Sequence, residues 1–188
     1  MQKRHRIFIS INLPDDIKKA LVAYQKKWKD VPVKWTDPEN LHITLVFLGD
    51  LADVELGQAC VAVKQIVKNH QSFDVTLSDI GYGPEGKIPP RYIWAGGQAS
   101  NELSLLKKDL ENGLATAARI KPDKNMLSLH ITLARVKEWE WRAIEPEERP
   151  EIKEHLNMIF TVESVEVMES ELKRGGPRYA VIESHELQ

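Results

Sequence analysis

The sequence contains a single cysteine, Cys60, among its 188 residues. One thiol cannot close an intramolecular disulfide, so a disulfide-stapled fold is excluded and a reducing cytoplasm is the expected compartment. We expect Cys60 to be a small, buried, apolar residue. Long apolar runs are also missing, so we expect no membrane-spanning segment and a soluble protein.

The sequence also has no large excess of positive or negative charge. The 26 lysines and arginines against 28 acidic residues give a net charge of −2. A uniformly basic nucleic-acid-binding protein is therefore excluded, and any recognition of phosphate requires a local basic patch. The apolar stretch 7–13 is interrupted by Ser10 and Asn12 and followed by two aspartates. This pattern is typical of a β-strand and not of an export signal.

What the sequence does contain is a repeat. Leu-His-Ile-Thr-Leu occurs at 41–45 and again at 129–133, an offset of 88 residues (130 minus 42). Segments 73–96 and 160–183 align without gaps at an offset of 87 (160 minus 73). Two segments at nearly one offset indicate an internal duplication. We predict one domain over residues 1–188, formed by repeats of approximately residues 7–96 and 91–183.

The predicted elements recur in the same order in both halves. Turn-rich connections at 81–90 and 173–177 indicate antiparallel pairing. The predicted fold is α+β, with two lobes related by a pseudo-twofold axis, each an antiparallel sheet with flanking helices, and a cleft between them. Strands are predicted over 7–13, 42–48, 73–80, 91–95, 129–136, 160–169 and 178–183, and helices over 15–28, 54–69, 102–118 and 148–157.

The repeated motif places titratable and hydroxyl side chains on one face of each strand. Residues two apart in a strand point the same way, so His42 projects with Thr44 and His130 projects with Thr132. The apolar residues between them point to the core. A single His-x-Thr strand more often holds a structural histidine, but two copies at matching positions favour a functional site lining the cleft.

Two histidines and two hydroxyls suit phosphodiester hydrolysis. One imidazole removes a proton from the attacking water and the other protonates the leaving oxygen, while hydroxyls donate to phosphoryl oxygens. Histidine titrates near neutrality, so a pair can hold complementary protonation states. No metal or cofactor is required. The remaining histidines form no such pair and are predicted to be surface residues: His5, His70, His155 and His185.

The motifs at 41–49 and 129–135, together with segments 6–14 and 90–96, resemble those of the two-histidine phosphoesterase superfamily. More narrowly, they are similar to the bacterial and archaeal RNA 2',3'-cyclic phosphodiesterases, formerly called 2'-5' RNA ligases. The likeness covers essentially the whole chain. It implies metal-independent conversion of a 2',3'-cyclic phosphate on an RNA end to a 2'-phosphate. Some members also join tRNA halves in reverse, so tRNA halves are candidate partners.

The resemblance also implies individual roles. His42 is expected to be the proton donor to the 3' oxygen and His130 the proton acceptor from water, with Thr44 and Thr132 on the phosphate. Arg135 is expected to engage the terminal nucleotide, although strict alternation places it on the face opposite His130. Phe47 either stacks on a base or belongs to the core.

Other features leave alternatives open. The basic residues Arg91, Lys173, Arg174 and Arg178 either guide an RNA backbone or form a solvated surface. The five tryptophans, with Trp139 and Trp141 near the second motif among them, either stack on bases or pack structurally. Three rival functions remain open. The first is a nucleotide-binding module without turnover, and the second is a relative acting on small cyclic nucleotides, on 2'-5' linkages or as an exonuclease on RNA 3' ends. The third is a metallohydrolase, for which the candidate ligands are too few. We expect a monomer.

Overall fold

The fold is described from a computed structural model, in which residues 4–117, 128–174 and 176–188 are defined. The strands are β1 (Arg4–Asn12), β2 (Val33–Trp35), β3 (His42–Ala52), β4 (Phe73–Gly83), β5 (Tyr92–Gly97), β6 (Leu129–Val136), β7 (Lys153–Val162), β8 (Ser164–Lys173) and β9 (Gly176–Glu186). The helices are α1 (Asp15–Lys27), α2 (Asp53–Val67), α3 (Asn101–Ala117) and α4 (Glu138–Arg142).

All strands belong to one antiparallel sheet with the order β7-β4-β5-β6-β3-β1-β8-β9, and β2 adds to β6. Its two four-stranded halves meet where β3 pairs with β6, with Ile43 opposite Ile131. The predicted α+β fold with antiparallel pairing is confirmed. Each half of the sheet contains strands from both halves of the chain. Strand β4, from the first half of the chain, lies between β5 and β7, whereas β8 and β9, from the second half, extend the sheet beyond β1.

Apolar residues of the sheet and helices form one core. Helix α3 buries Leu103, Leu106, Leu110 and Leu114, a spacing that gives a helix one apolar face. Helices α2 and α3 pack against each other, and both contact β3. Leu41, Ile43 and Leu45 are buried, so the alternate side chains of β3 lie on the opposite face. Cys60 in α2 is buried, as predicted.

The helix predicted over 148–157 is wrong. Residues Lys153–Val162 form β7, which pairs with β4 along its length. Leu156, Phe160 and Val162 are buried in this strand, so its packing follows the strand period and not the helical one. The strand predicted over 160–169 is interrupted at Glu163, where the chain leaves β4 and joins β1. Helix α4 and strand β2 were not predicted, and Ala118, the predicted end of α3, lies outside the described residues.

The prediction that the remaining histidines lie on the surface is wrong for His5 and His70. His5 is buried, with Nδ1 2.7 Å from a Glu169 carboxylate oxygen and Nε2 2.9 Å from Asp53. His70 is buried beside Asp109, with Nε2 3.2 Å from the carboxylate. Pairing with carboxylates offsets the cost of burying an imidazole.

His155 is exposed, as predicted, whereas the side chain of His185 is only 10% exposed, so the prediction is wrong for His185 as well. Among the described residues, no helix has the length and apolar character needed to cross a membrane.

Candidate active site

The four side chains of the repeated motif lie on the two central strands. His42 and Thr44 project from β3 and His130 and Thr132 from β6, all of them half-buried. The antiparallel register that places Ile43 opposite Ile131 sets the two motifs side by side. The histidines are close enough for their mutual repulsion to lower the pKa of His42.

Both imidazoles are oriented by the same hydrogen bond. His42 Nδ1 donates to the Asn40 carbonyl at 2.7 Å, and His130 Nδ1 donates to the Ser128 carbonyl at 2.8 Å. A carbonyl only accepts, so each Nδ1 carries the proton and Nε2 is the nitrogen left for chemistry. In His42, Nε2 lies 3.0 Å from Thr44 Oγ1, whose hydroxyl can donate to it.

Burial has the largest effect on the pKa of both histidines. It lowers the pKa of each because the charged imidazolium loses hydration. The bond to the backbone carbonyl opposes this effect in both. For His42, repulsion from His130 and Lys18 lowers the pKa further. Both free imidazoles therefore favour the neutral form, and a bound phosphate anion would counter this by stabilising the imidazolium.

Aromatic side chains hold His130 in place from one side. The Trp94 indole stacks on the His130 ring with centroids 4.1 Å apart, and Tyr92 stacks on Trp94 at 5.9 Å. Trp94 leaves no room for a side chain at Gly83, where a β-carbon would lie 2.1 Å from the indole. The glycine in β4 thus permits the indole to reach the site.

The surroundings of His42 are different. Phe8 and Tyr179 contact its ring, with centroid distances of 5.0 and 5.2 Å. Sequence reasoning did not select Phe8, Trp94 or Tyr179. A signal for Tyr179 was available, because it aligns with Tyr92 in the repeated segments.

A β-bulge in each central strand places one further residue on the cleft face. In β3, the pairing with β1 shifts between Thr44 and Val46, so Leu45 and Val46 are both buried. Phe47 then turns to the face of His42 and is 67% exposed. Interpreting Phe47 as a core aromatic is therefore wrong, because the bulge adds a residue to the alternation.

The bulge in β6 has the same effect on Arg135. The pairing with β5 shifts between Thr132 and Ala134, and both Leu133 and Ala134 are buried. Arg135 is consequently exposed on the face that carries His130, and not on the opposite face as strict alternation indicated. Its cross-strand neighbours are Tyr92 in β5 and Lys34 in β2.

A buried lysine supports the β3 bulge. Lys107 of α3 is 7% exposed, donates to the Leu45 carbonyl at 3.2 Å and forms an ion pair with Glu111. Leu45 has no paired residue in β1 because of the bulge, and Lys107 supplies a hydrogen-bond donor to its carbonyl. This contact joins the core of α3 to the strand that carries His42 and was not anticipated from sequence.

The remaining candidates divide into separate groups. Lys173, Arg174 and Arg178 line one concavity at the β8–β9 turn, whereas Arg91 lies before β5 and outside that group. Trp141 is buried, consistent with structural packing, and Trp139 is exposed. Within the described residues, no cluster of three or more histidine, cysteine or acidic side chains is placed to hold a metal ion.

Comparison with known proteins matches the two halves of the chain separately to one family. The family model of LigT-like phosphoesterases matches residues 11–94 and again residues 97–179. The chain is 33% identical over 194 residues to a Thermus thermophilus protein named RNA 2',3'-cyclic phosphodiesterase, covering 97% of this chain and 90% of the relative. An Aquifex aeolicus protein of the same name is 28% identical, covering 84% and 85%.

A crystal structure of a Thermus thermophilus protein superimposes with a TM-score of 0.82 at 31% identity, covering 97% of both chains. The match therefore includes both histidine motifs and the sheet that carries them. The chain belongs to the LigT-like phosphoesterases of the two-histidine superfamily.

Proposed function

We propose that the chain is an RNA 2',3'-cyclic phosphodiesterase, which opens a terminal cyclic phosphate to a 2'-phosphate. The names of its relatives support the substrate. The observation that carries the proposal is the matched pair of histidines, each fixed by a bond from Nδ1 to a backbone carbonyl, with both Nε2 atoms left on the cleft face.

In the proposed reaction, water attacks phosphorus in line with the departing 3' oxygen. His130 Nε2 takes the proton from water as the new phosphorus–oxygen bond forms. His42 Nε2 gives its proton to the 3' oxygen as that bond breaks, and the product has a 2'-phosphate and a free 3'-hydroxyl. The two histidines exchange protonation states during turnover and regain them by exchange with solvent.

The hydroxyls of Thr44 and Thr132 are proposed to donate to the phosphoryl oxygens as negative charge develops there. Phe47 and Arg135 are proposed to contact the terminal nucleotide. Each reaches the cleft face through a bulge at the same place in its motif. Because β3 and β6 run antiparallel, the two residues lie at opposite ends of the site, and the nucleotide is held asymmetrically.

The proposal also covers the cofactor requirement, the substrates and the origin of the domain. We infer that turnover requires no metal or cofactor and that RNA ends, tRNA halves among them, are the substrates of a cytoplasmic monomer. We also infer that the domain arose by internal duplication, which the repeated motif and the two successive matches to one family model support.

The decisive experiment is incubation with a short RNA ending in a 2',3'-cyclic phosphate in the presence of EDTA. The expected product is the 2'-phosphate, identified by phosphorus NMR. Binding without turnover would indicate a binding module, and activity lost to chelation and restored by one divalent ion would indicate a metallohydrolase. Faster turnover of small cyclic nucleotides or of 2'-5' linkages would assign another phosphoester substrate.

A further inference from the structure

The hairpin formed by β8 and β9 reaches over the His42 end of the site. Tyr179 of β9 contacts the His42 ring at right angles, 5.2 Å between centroids. The Asn40 side chain donates to the Pro177 carbonyl at 3.0 Å, and the Asn40 carbonyl is itself the acceptor of His42 Nδ1. The turn of this hairpin is therefore tied to the segment that orients the candidate proton donor.

This turn concentrates positive charge. Lys173, Arg174 and Arg178 line a concavity of about 440 Å³, together with Asp37. Lys173 is paired with Glu171 at 2.6 Å. The side chains of Arg174 and Arg178 have no hydrogen bond or ion pair to any other residue that the structure describes. In a chain whose net charge is −2, two unpaired guanidinium groups beside the active site indicate an anionic ligand.

The positive charge continues towards Arg135. Lys34 of β2 lies directly across from Arg135 of β6. The Lys34 Nζ lies 3.0 Å from the position that a β-carbon would take on Gly176, at the start of β9. A row of cations thus runs from Arg135 through Lys34 to the hairpin turn. The row leads away from the two histidines, because Arg135 lies five residues beyond His130 in the chain and Lys34 lies next to Arg135.

We propose that Arg174 and Arg178 bind the internucleotide phosphate on the 5' side of the terminal nucleotide. This inference rests on the proposed function. With the cyclic phosphate between the histidines and Arg135 on the terminal nucleotide, that internucleotide phosphate is the next anion along the chain. Guanidinium groups bind phosphate oxygens in bidentate fashion, which fixes both position and direction. The site thereby selects RNA ends over free cyclic mononucleotides, which lack this phosphate.

The test compares three substrates: adenosine 2',3'-cyclic phosphate, the dinucleotide with the same cyclic end, and that dinucleotide with an uncharged methylphosphonate linkage. The wild-type protein is expected to turn over the charged dinucleotide with a kcat/KM about tenfold above the other two, as a charge-assisted bond of this kind predicts. Arg174→Gln/Arg178→Gln should abolish the preference and leave mononucleotide turnover within about twofold of wild type. Lys64→Gln/Lys68→Gln, at exposed positions in and just after α2, removes the same charge and should keep the preference.

The outcomes separate the two proposals. Equal kcat/KM for the three substrates, or a preference retained by Arg174→Gln/Arg178→Gln, overturns the phosphate subsite while the phosphodiesterase stands. A wild-type protein inactive on every one of these substrates overturns the proposed function and the subsite together. Mononucleotide turnover by the variant also reports that it is folded.

Discussion

His42 and His130 make the same backbone hydrogen bond but have different neighbours. Trp94 stacks on His130, whereas Phe8 and Tyr179 contact His42 and Lys18 lies close enough to affect its pKa. Because both rings are oriented by the same hydrogen bond, this bond alone does not distinguish a proton donor from a proton acceptor. In the proposed mechanism, these unequal surroundings distinguish the acid from the base.

The assignment is testable with leaving groups. His42→Ala and His130→Ala should each reduce turnover by about 10²-fold or more, because each removes one proton transfer. A substrate with a much better leaving group at the 3' position needs little protonation. It should therefore rescue His42→Ala far more than His130→Ala, as measured by steady-state rates across a leaving-group series. Equal rescue would retain the pair but remove the assignment, and a 3'-phosphate product would reverse the orientation.

The lowered histidine pKa values predict the pH dependence of turnover. The active free enzyme carries one proton on the pair, and both groups titrate below their ordinary value of 6.5 because of burial. The profile of kcat/KM should therefore be bell-shaped, peak on the acid side of 6.5 and fall towards alkaline pH as the pair loses that proton.

The profile of kcat should differ in a defined way. The bound phosphate anion favours the imidazolium, so the alkaline limb of kcat should lie at higher pH than that of kcat/KM. Steady-state kinetics over a pH series measures both limbs. A value of kcat/KM that rises steadily above pH 7 would contradict the acid–base pair.

Phe47 offers a test of nucleotide contact that leaves folding intact. Its side chain is 67% exposed, so Phe47→Ala should not change the melting temperature. Loss of one stacking contact should raise KM about tenfold and leave kcat within about twofold. Leu105→Ala on α3 removes a comparably exposed apolar side chain and should change neither constant. An unchanged KM for Phe47→Ala would exclude Phe47 from the nucleotide site.

At the scale of elements, the β3 bulge depends on α3. Lys107→Met removes the donor to the Leu45 carbonyl and leaves the Glu111 carboxylate without its partner. Removing one member of a buried pair costs about 3–5 kcal/mol, so the free energy of unfolding should fall by that order. Lys107→Met/Glu111→Leu leaves no unpaired charge and should lose less.

Both variants are expected to raise KM, because the bulge that directs Phe47 into the cleft loses its support. Urea unfolding and steady-state kinetics on the two variants provide the measurements. A double variant no more stable than Lys107→Met, with KM unchanged in both, would show that this pair does not hold the bulge.

The sequence predicted those elements whose pattern is local. The strands over both motifs follow from alternation, and α1 and α2 follow from helical periodicity with errors of one or two residues at their ends. Strand β7 was missed because it lies at an edge of the sheet and its Lys-Glu-His-Leu-Asn start is largely polar. Its structure is set by pairing with β4, which lies about 80 residues away in the chain.

Only those residues of the candidate site that lie within the two repeated histidine motifs were predictable from the sequence with their orientation. The bulges that direct Phe47 and Arg135 are defined against β1 and β5, so no alternation within β3 or β6 alone reveals them. The contacts of Tyr179 and Trp94 with the histidines likewise depend on how distant strands meet. Repetition within the sequence identified the candidate catalytic pair, whereas the neighbours of that pair are set by the pairing of distant strands.

At the scale of the whole molecule, the exchange of strands makes each half of the sheet depend on both halves of the chain. Strand β4 comes from the first half of the chain but pairs with β5 and β7, and β8 from the second half pairs with β1. We therefore predict one cooperative unfolding transition, with coincident curves by tryptophan fluorescence and far-UV circular dichroism.

Amide hydrogen exchange provides a residue-level check. The amides of Ile9 in β1 and Ile93 in β5 are both buried at the centre of their half-sheets and should open with the same free energy. A lower value for Ile93 would show that the two halves unfold separately.

On the duplication that the repeated motif predicts, the single-copy ancestor would have been a homodimer with two identical histidines across a true twofold axis. Such a dimer binds a ribose cyclic phosphate in two equivalent orientations, so it has no means of distinguishing the 2' from the 3' oxygen. Trp94 stands opposite Thr132 where Ser10 stands opposite Thr44, and Arg135 takes the place of Phe47. On the proposed duplication and reaction, regioselectivity is the evolutionary product of broken symmetry, acquired by the neighbours while the two proposed catalytic histidines stayed alike.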